Sequence, residues 1–196
     1  MYFQESLIIA KKFTCKNKNE TIKIENLENI NLWDINNPNL YKIELILSVN
    51  ESSIDKIETL FGFRQAEFKD TGFYLNGKLL KLIGLNRHQS FPYVGYAMPK
   101  RVQENDAILL KKNGLNVVRT SHYPHSIHFI KKCDEIGLLV FEEIPGWQYI
   151  GDSIWQEQVL HDLEAMILRD RNSPSIILWG TRINESGDCH DLYSKT

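Results

Sequence analysis

Between residues 81 and 180 the chain repeats one alternation. Short apolar runs at 81–85, 116–120, 138–142 and 175–180 are separated by helix-patterned segments at 100–113, 126–136 and 153–169. Gly114 and Gly137 fall just past the first two of these segments, in the position that favours glycine after a helix. In the second, Ile127, Ile130 and Cys133 share one face; in the third, Val159, Leu163, Met166 and Ile167 do. Strands alternating with helices pair in parallel through right-handed crossovers. A closed eight-stranded (β/α)8 barrel takes about 250 residues, and this chain has 196. The four units therefore predict a small open sheet or half of a barrel. No glycine-rich phosphate loop follows any strand, so a dinucleotide or P-loop reading has no support.

The first third reads differently. Short strands are predicted at 7–10, 21–24, 41–49 and 59–63, separated by Asn, Asp, Glu, Lys and Pro. Tyr41, Ile43, Leu45, Leu47 and Val49 occupy alternate positions, which predicts a strand with one buried face. These few strands fit part of a β-sandwich. Residues 73–75 and 78–80 flank Asn76-Gly77, the two-residue turn that supplies positive φ in a hairpin. The polar run at 16–19 reads as a solvated turn.

Composition narrows the function class. Net charge is −2, with 23 cationic and 25 anionic side chains interspersed, so no basic field points to nucleic acid. The apolar runs are too short to span a membrane. Cys15, Cys133 and Cys189 lie far apart without a CxxC, which argues against a disulfide framework or a cysteine zinc site. Residues 1–5 open no signal-peptide pattern.

Polar residues collect just after the carboxyl ends of the predicted strands. They are Asn86-Arg87-His88-Gln89, then 119–125 (Arg-Thr-Ser-His-Tyr-Pro-His), then Glu142-Glu143, then 181–186 (Thr-Arg-Ile-Asn-Glu-Ser). Parallel strands bring these ends to one face, where α/β enzymes hold their sites. Imidazoles, a guanidinium, an amide and carboxylates there suit gripping sugar hydroxyls and moving a proton. Glu142 and Glu143 are adjacent on a strand, so only one can face the mouth of the sheet.

Several segments carry a resemblance. Phe61-Gly62-Phe63-Arg64, Gly84-Leu85-Asn86-Arg87-His88, the run Asn116 to Pro124, the run Arg171 to Trp179 and Asn184-Glu185 resemble glycoside hydrolase family 2. That family includes β-galactosidases, β-glucuronidases and β-mannosidases. Leu32-Trp33 with Pro38 to Tyr41 resembles the immunoglobulin-like domain ahead of its barrel. The resemblance implies an α/β fold: a partial TIM (β/α)8 barrel of about four βα units over residues 67–196. Part of an all-β immunoglobulin-like sandwich over residues 1–66 would precede it. It implies a retaining β-glycosidase, β-galactosidase-like, that needs no cofactor and takes a β-glycoside. Glu185 takes the acid/base role. Asn184 holds the sugar 2-hydroxyl. His88, Arg119 and His122 line the pocket, with Glu143 beside the sugar and Trp179 at the end of strand four as a stacking surface. A general acid of this kind needs a pKa raised by burial or a neighbouring anion, and retention sets the two carboxyls about 5–5.5 Å apart.

The chain also departs from the family. The nucleophile comes from a later strand, so no residue takes that role here. The expectation is a marginally stable, inactive chain whose partner is the missing barrel half or a second copy. Where some relatives place magnesium ligands, this sequence has Trp147 and Tyr149, so no metal site is carried over.

Blander readings stand beside these. Glu185 taken alone is an ordinary loop carboxylate, and Arg119 could be a structural ion-pair partner. His122, His125 and His128 have ligand-like spacing, but Pro124 interrupts any helix through them. Trp147, Trp155 and Trp179 default to packing. A non-catalytic carbohydrate-binding or complementing piece is the rival function.

Overall fold

The structure is a computed structural model that describes residues 1–14, 17 and 19–196. Cys15, Lys16 and Lys18, and with them the turn read at 16–19, lie outside the described residues.

The first sheet is antiparallel. Its strands are β1 (Tyr2–Phe3), β2 (Ser6–Leu7), β3 (Tyr41–Val49) and β4 (Ser52–Phe61), in the order β2-β1-β3-β4. β3 lies where its alternation predicts. β4 begins earlier than the expected 59–63, because Asn50 and Glu51 both adopt positive φ and close a tight hairpin with β3. The strand read at 21–24 does not form, and of the one read at 7–10 only Leu7 lies in a strand. Apolar alternation needs a neighbouring strand to take up its backbone groups. The predicted burial of the β3 face holds only at Tyr41, whose ring packs with Phe3, Phe61 and Phe63. Ile43, Leu45, Leu47 and Val49 are exposed. Among the described residues no second layer covers them.

A three-stranded antiparallel sheet follows: β5 (Ala66–Lys69), β6 (Gly72–Leu75) and β7 (Lys78–Leu79). Asn76 (φ 51°) and Gly77 (φ 76°) form the expected turn.

The remaining chain builds the four-stranded parallel sheet. Its elements are β8 (Gly84–Arg87), α1 (Lys100–Lys112), β9 (Val117–Thr120), α2 (Ile127–Ile136), β10 (Leu139–Glu143), α3 (Ser153–Asp170) and β11 (Ile176–Gly180). The order is β11-β10-β9-β8, and a short α4 (His190–Tyr193) ends the chain. β8 starts three residues later than residues 81–85 suggest. The Asn116 amide takes the preceding backbone groups instead, accepting from Ile83 N at 2.8 Å and donating to Lys81 O at 2.8 Å. α2 is capped by Ser126, whose hydroxyl accepts from His128 N, and α3 by Asp152, whose carboxylate accepts from Trp155 N. No helix is long and apolar enough to cross a membrane among the described residues.

The main core lies between the sheet and its helices: Ala107, Val118, Phe129, Ile130, Cys133, Leu138, Val140 and Ile176. A second cluster joins α3 and α4 around Ile144, Val159, Leu163, Met166 and Leu192. A third, of Trp33, Phe73, Leu75 and Leu139, closes the amino-terminal end of the sheet. Trp33 is fully buried and donates from Nε1 to Asp134 O at 2.8 Å. Arg64 donates to Pro174 O at 2.9 Å and to Ile176 O. These bonds hold the opening segments against the base of the sheet and leave its carboxyl end open.

Candidate active site

The parallel register brings four loops to one rim. Asn86, Arg119 and Phe141 stand level across β8, β9 and β10, and Glu143 is paired with Gly180. Arg119, Phe141 and Glu143 project on the concave side, away from the helices. An open cavity of about 430 Å³ lies there, lined in part by Asn86, Arg119, Phe141 and Leu178. Gly180 is required beside Glu143, because a Cβ at residue 180 would sit 2.5 Å from the Glu143 Cβ.

Glu143 is the centre of the cluster. Its side chain is wholly buried, yet each carboxylate oxygen has a partner. Arg119 Nε donates to Oε2 at 2.8 Å, and His122 Nδ1 meets Oε1 at 2.7 Å. An ionised carboxylate only accepts, so His122 carries a proton on Nδ1. That leaves Nε2 directed at Glu185, whose Oε1 lies 4.0 Å away. Arg119 also donates from Nη2 to Asn184 Oδ1 at 2.9 Å, which leaves the Asn184 amide nitrogen to donate elsewhere. The His88 ring stands edge-on to His122, with centroids 5.4 Å apart. Glu185 is about one-third exposed, at 35%. Its loop is held by Ser186, which donates to Gly146 O at 2.7 Å, and by Arg182, which donates to Ser186 O at 3.0 Å.

Six of the residues singled out from the sequence therefore come together: His88, Arg119, His122, Glu143, Asn184 and Glu185. Trp179 is not brought to them. It is level with Glu142 on the helix-facing side and packs against both helix–sheet clusters. A one-residue shift between β10 and β11, after the Val140–Ile176 pair, sets this facing.

Glu142 and Glu143 do face opposite ways. Glu142 points to the helices, where Arg169 Nη2 donates to Oε1 at 3.1 Å. Burial and the neighbouring Asp170 carboxylate push its pKa up. Arg87 and His125 also leave the expected rim for this side. Arg87 donates to Asp106 Oδ2 at 2.8 Å, Gln103 Oε1 at 2.8 Å and His125 Nδ1 at 2.9 Å. Burial and the Arg87 charge hold the His125 imidazole down to about 3. His122, His125 and His128 thus occupy a pocket, a core and an exposed helix face. The sequence reading gave Trp147 to packing by default, whereas the structure leaves it exposed in the loop after β10. Its ring lies 6.5 Å from His122 and within 4° of parallel.

Residues 66–195 match the family described as glycosyl hydrolases family 2, TIM barrel domain, and residues 4–64 match glycosyl hydrolases family 2. The chain belongs to glycosyl hydrolases family 2. Among the relatives in the family is a β-galactosidase of Thermoanaerobacterium thermosulfurigenes, 63% identical over 174 residues, 88% of this chain. A β-galactosidase of Thermoanaerobacter pseudethanolicus is 53% identical over 178 residues, 90% of this chain. The chain spans about a quarter (24%) of each. A Ruminococcus gnavus β-glucuronidase solved in complex with D-glucuronic acid superposes with a TM-score of 0.78 at 28% identity. That match covers 86% of this chain and 30% of the glucuronidase. The fold is accordingly an immunoglobulin-like portion followed by part of a family 2 barrel.

Proposed function

We propose that this chain carries the acid/base half of a retaining β-glycosidase acting on β-galactosides. The observation that carries the reading is the Arg119–Glu143–His122 chain, which ends 4.0 Å from Glu185. Glu185 protonates the leaving oxygen and then takes the proton of the attacking water. The Asn184 amide donates to the sugar 2-hydroxyl, with its oxygen fixed by Arg119. Arg119, His122 and His88 bind the glycone, and the Glu143 carboxylate holds the first two in place. The attacking carboxylate is supplied by chain outside these 196 residues, covalently joined or as a separate partner. Residues 1–66 serve as the sandwich portion, and residues 67–196 as the barrel portion.

The test is a chimera in which this chain replaces the matching segment of the Thermoanaerobacterium thermosulfurigenes β-galactosidase. Its first-formed product should keep the β-configuration. Glu185→Gln should slow hydrolysis of an alkyl β-galactoside roughly 10²- to 10⁴-fold. It should slow the dinitrophenyl galactoside far less, since that leaving group departs without a proton. Alkyl hydrolysis by E185Q at the parental rate would overturn the assignment. Glycoside binding by an inactive chimera would favour the non-catalytic reading.

A further inference from the structure

We propose that Trp147 is the platform on which the glycoside's leaving group lies, and that this group presents a flat apolar face. An aryl group has one, and so does the underside of a second pyranose. This rests on the reading of Glu185 as the acid. A leaving group must lie on the side of the scissile bond from which its oxygen is protonated. Trp147 is assigned to that side by its neighbours around Glu185. The His122 nitrogen that faces Glu185 belongs to the ring to which the indole lies parallel. The loop bearing Trp147 is tied to the loop bearing Glu185 by the Ser186 to Gly146 bond of 2.7 Å.

The chain has four tryptophans. Trp33 is buried, and Trp155 and Trp179 pack against apolar clusters. Trp147 belongs to none of the clusters and is 59% exposed. Gly146 (φ 132°) and Gln148 (φ 56°) turn the backbone on either side of it, so the ring stands out from the loop. An exposed indole aligned with a pocket imidazole offers a π-face to C–H bonds or to another ring.

Saturation-transfer NMR on the β-galactosidase chimera proposed above, carrying Glu185→Gln throughout to suppress turnover and otherwise wild type, tests this with phenyl β-galactoside, methyl β-galactoside and a galactosyl-glucose disaccharide. The wild type should saturate both sugar and aryl protons of the phenyl glycoside. Trp147→Ala should bind that ligand roughly three- to tenfold more weakly and lose the aryl signal. Trp147→Phe should keep most of it, and methyl galactoside should bind both variants as it binds the wild type. Loss of the glucose-ring signals in W147A would identify a pyranose as the second occupant; their retention would restrict the platform to aryl groups. An unchanged aryl signal in W147A overturns the proposal, as does equal weakening of the methyl and phenyl ligands. If the wild type saturates no sugar protons at all, the glycoside reading of the site fails and this inference goes with it.

Discussion

Replacing Asp134 by Asn isolates one buried carboxyl and the pH dependence that it imposes. Asp134 lies in the last turn of α2, where the helix dipole disfavours an anion. It is only 7% exposed. Burial raises its pKa from 3.8 to about 6, and the Asp170 charge adds to the rise. The bonds from Ser175 N (3.0 Å) and Ser175 Oγ (2.6 Å) pull the other way. Between the two values the folded protein keeps a proton that the unfolded chain has released. The contribution to stability is therefore full below about pH 4 and is lost as the pH rises through about 6. At about 1.4 kcal/mol per pH unit, the whole effect is about 3 kcal/mol, of which about 2 falls between about pH 4.5 and 7. Asn cannot ionise, yet its carbonyl oxygen still accepts both Ser175 bonds. Urea unfolding followed by tryptophan fluorescence, on both proteins across that pH range, gives the stability difference. Titrations common to the two proteins cancel in it. The difference should move by about 2 kcal/mol in favour of D134N from about pH 4.5 to 7. A difference that stays flat, or that moves toward the wild type, would refute the reasoning.

Two further outcomes follow from the same structure. His125, held down to about 3 by burial and Arg87, should show no titration of its ring protons by NMR on acidification to about pH 4.5. Its contribution to stability is full above the ordinary imidazole value and is lost as the pH falls toward 3; a midpoint near neutrality would contradict its placement. Glu143→Gln removes the anion shared by Arg119 and His122, and breaking a buried pair of this kind costs about 3 kcal/mol. Urea unfolding at neutral pH measures that cost, and a loss well below about 1 kcal/mol would mean that the carboxylate does not hold the two side chains in place.

Several elements were legible from local pattern. The helices at 100–113 and 126–136 and the strand at 41–49 form within a residue or so of their predicted ends, because period and capping residues act over a few positions. The hairpin at Asn76-Gly77 is legible for the same reason. The strand at 21–24 was not, since its alternation carries no information about whether a partner strand lies beside it. The beginning of β8 was also hidden, because a side chain 33 residues away occupies the backbone groups ahead of it.

For the site, the sequence by itself determined which residue types follow each strand and that Glu142 and Glu143 must face opposite sides. Those are consequences of chain order and a two-residue period. Only the tertiary structure decided which of the two turns to the concave face, that Arg119 and His122 converge on it, and that Arg87, His125 and Trp179 turn to the helices. The reason is physical: facing depends on inter-strand register, and the shift between β10 and β11 is a property of two strands packed together.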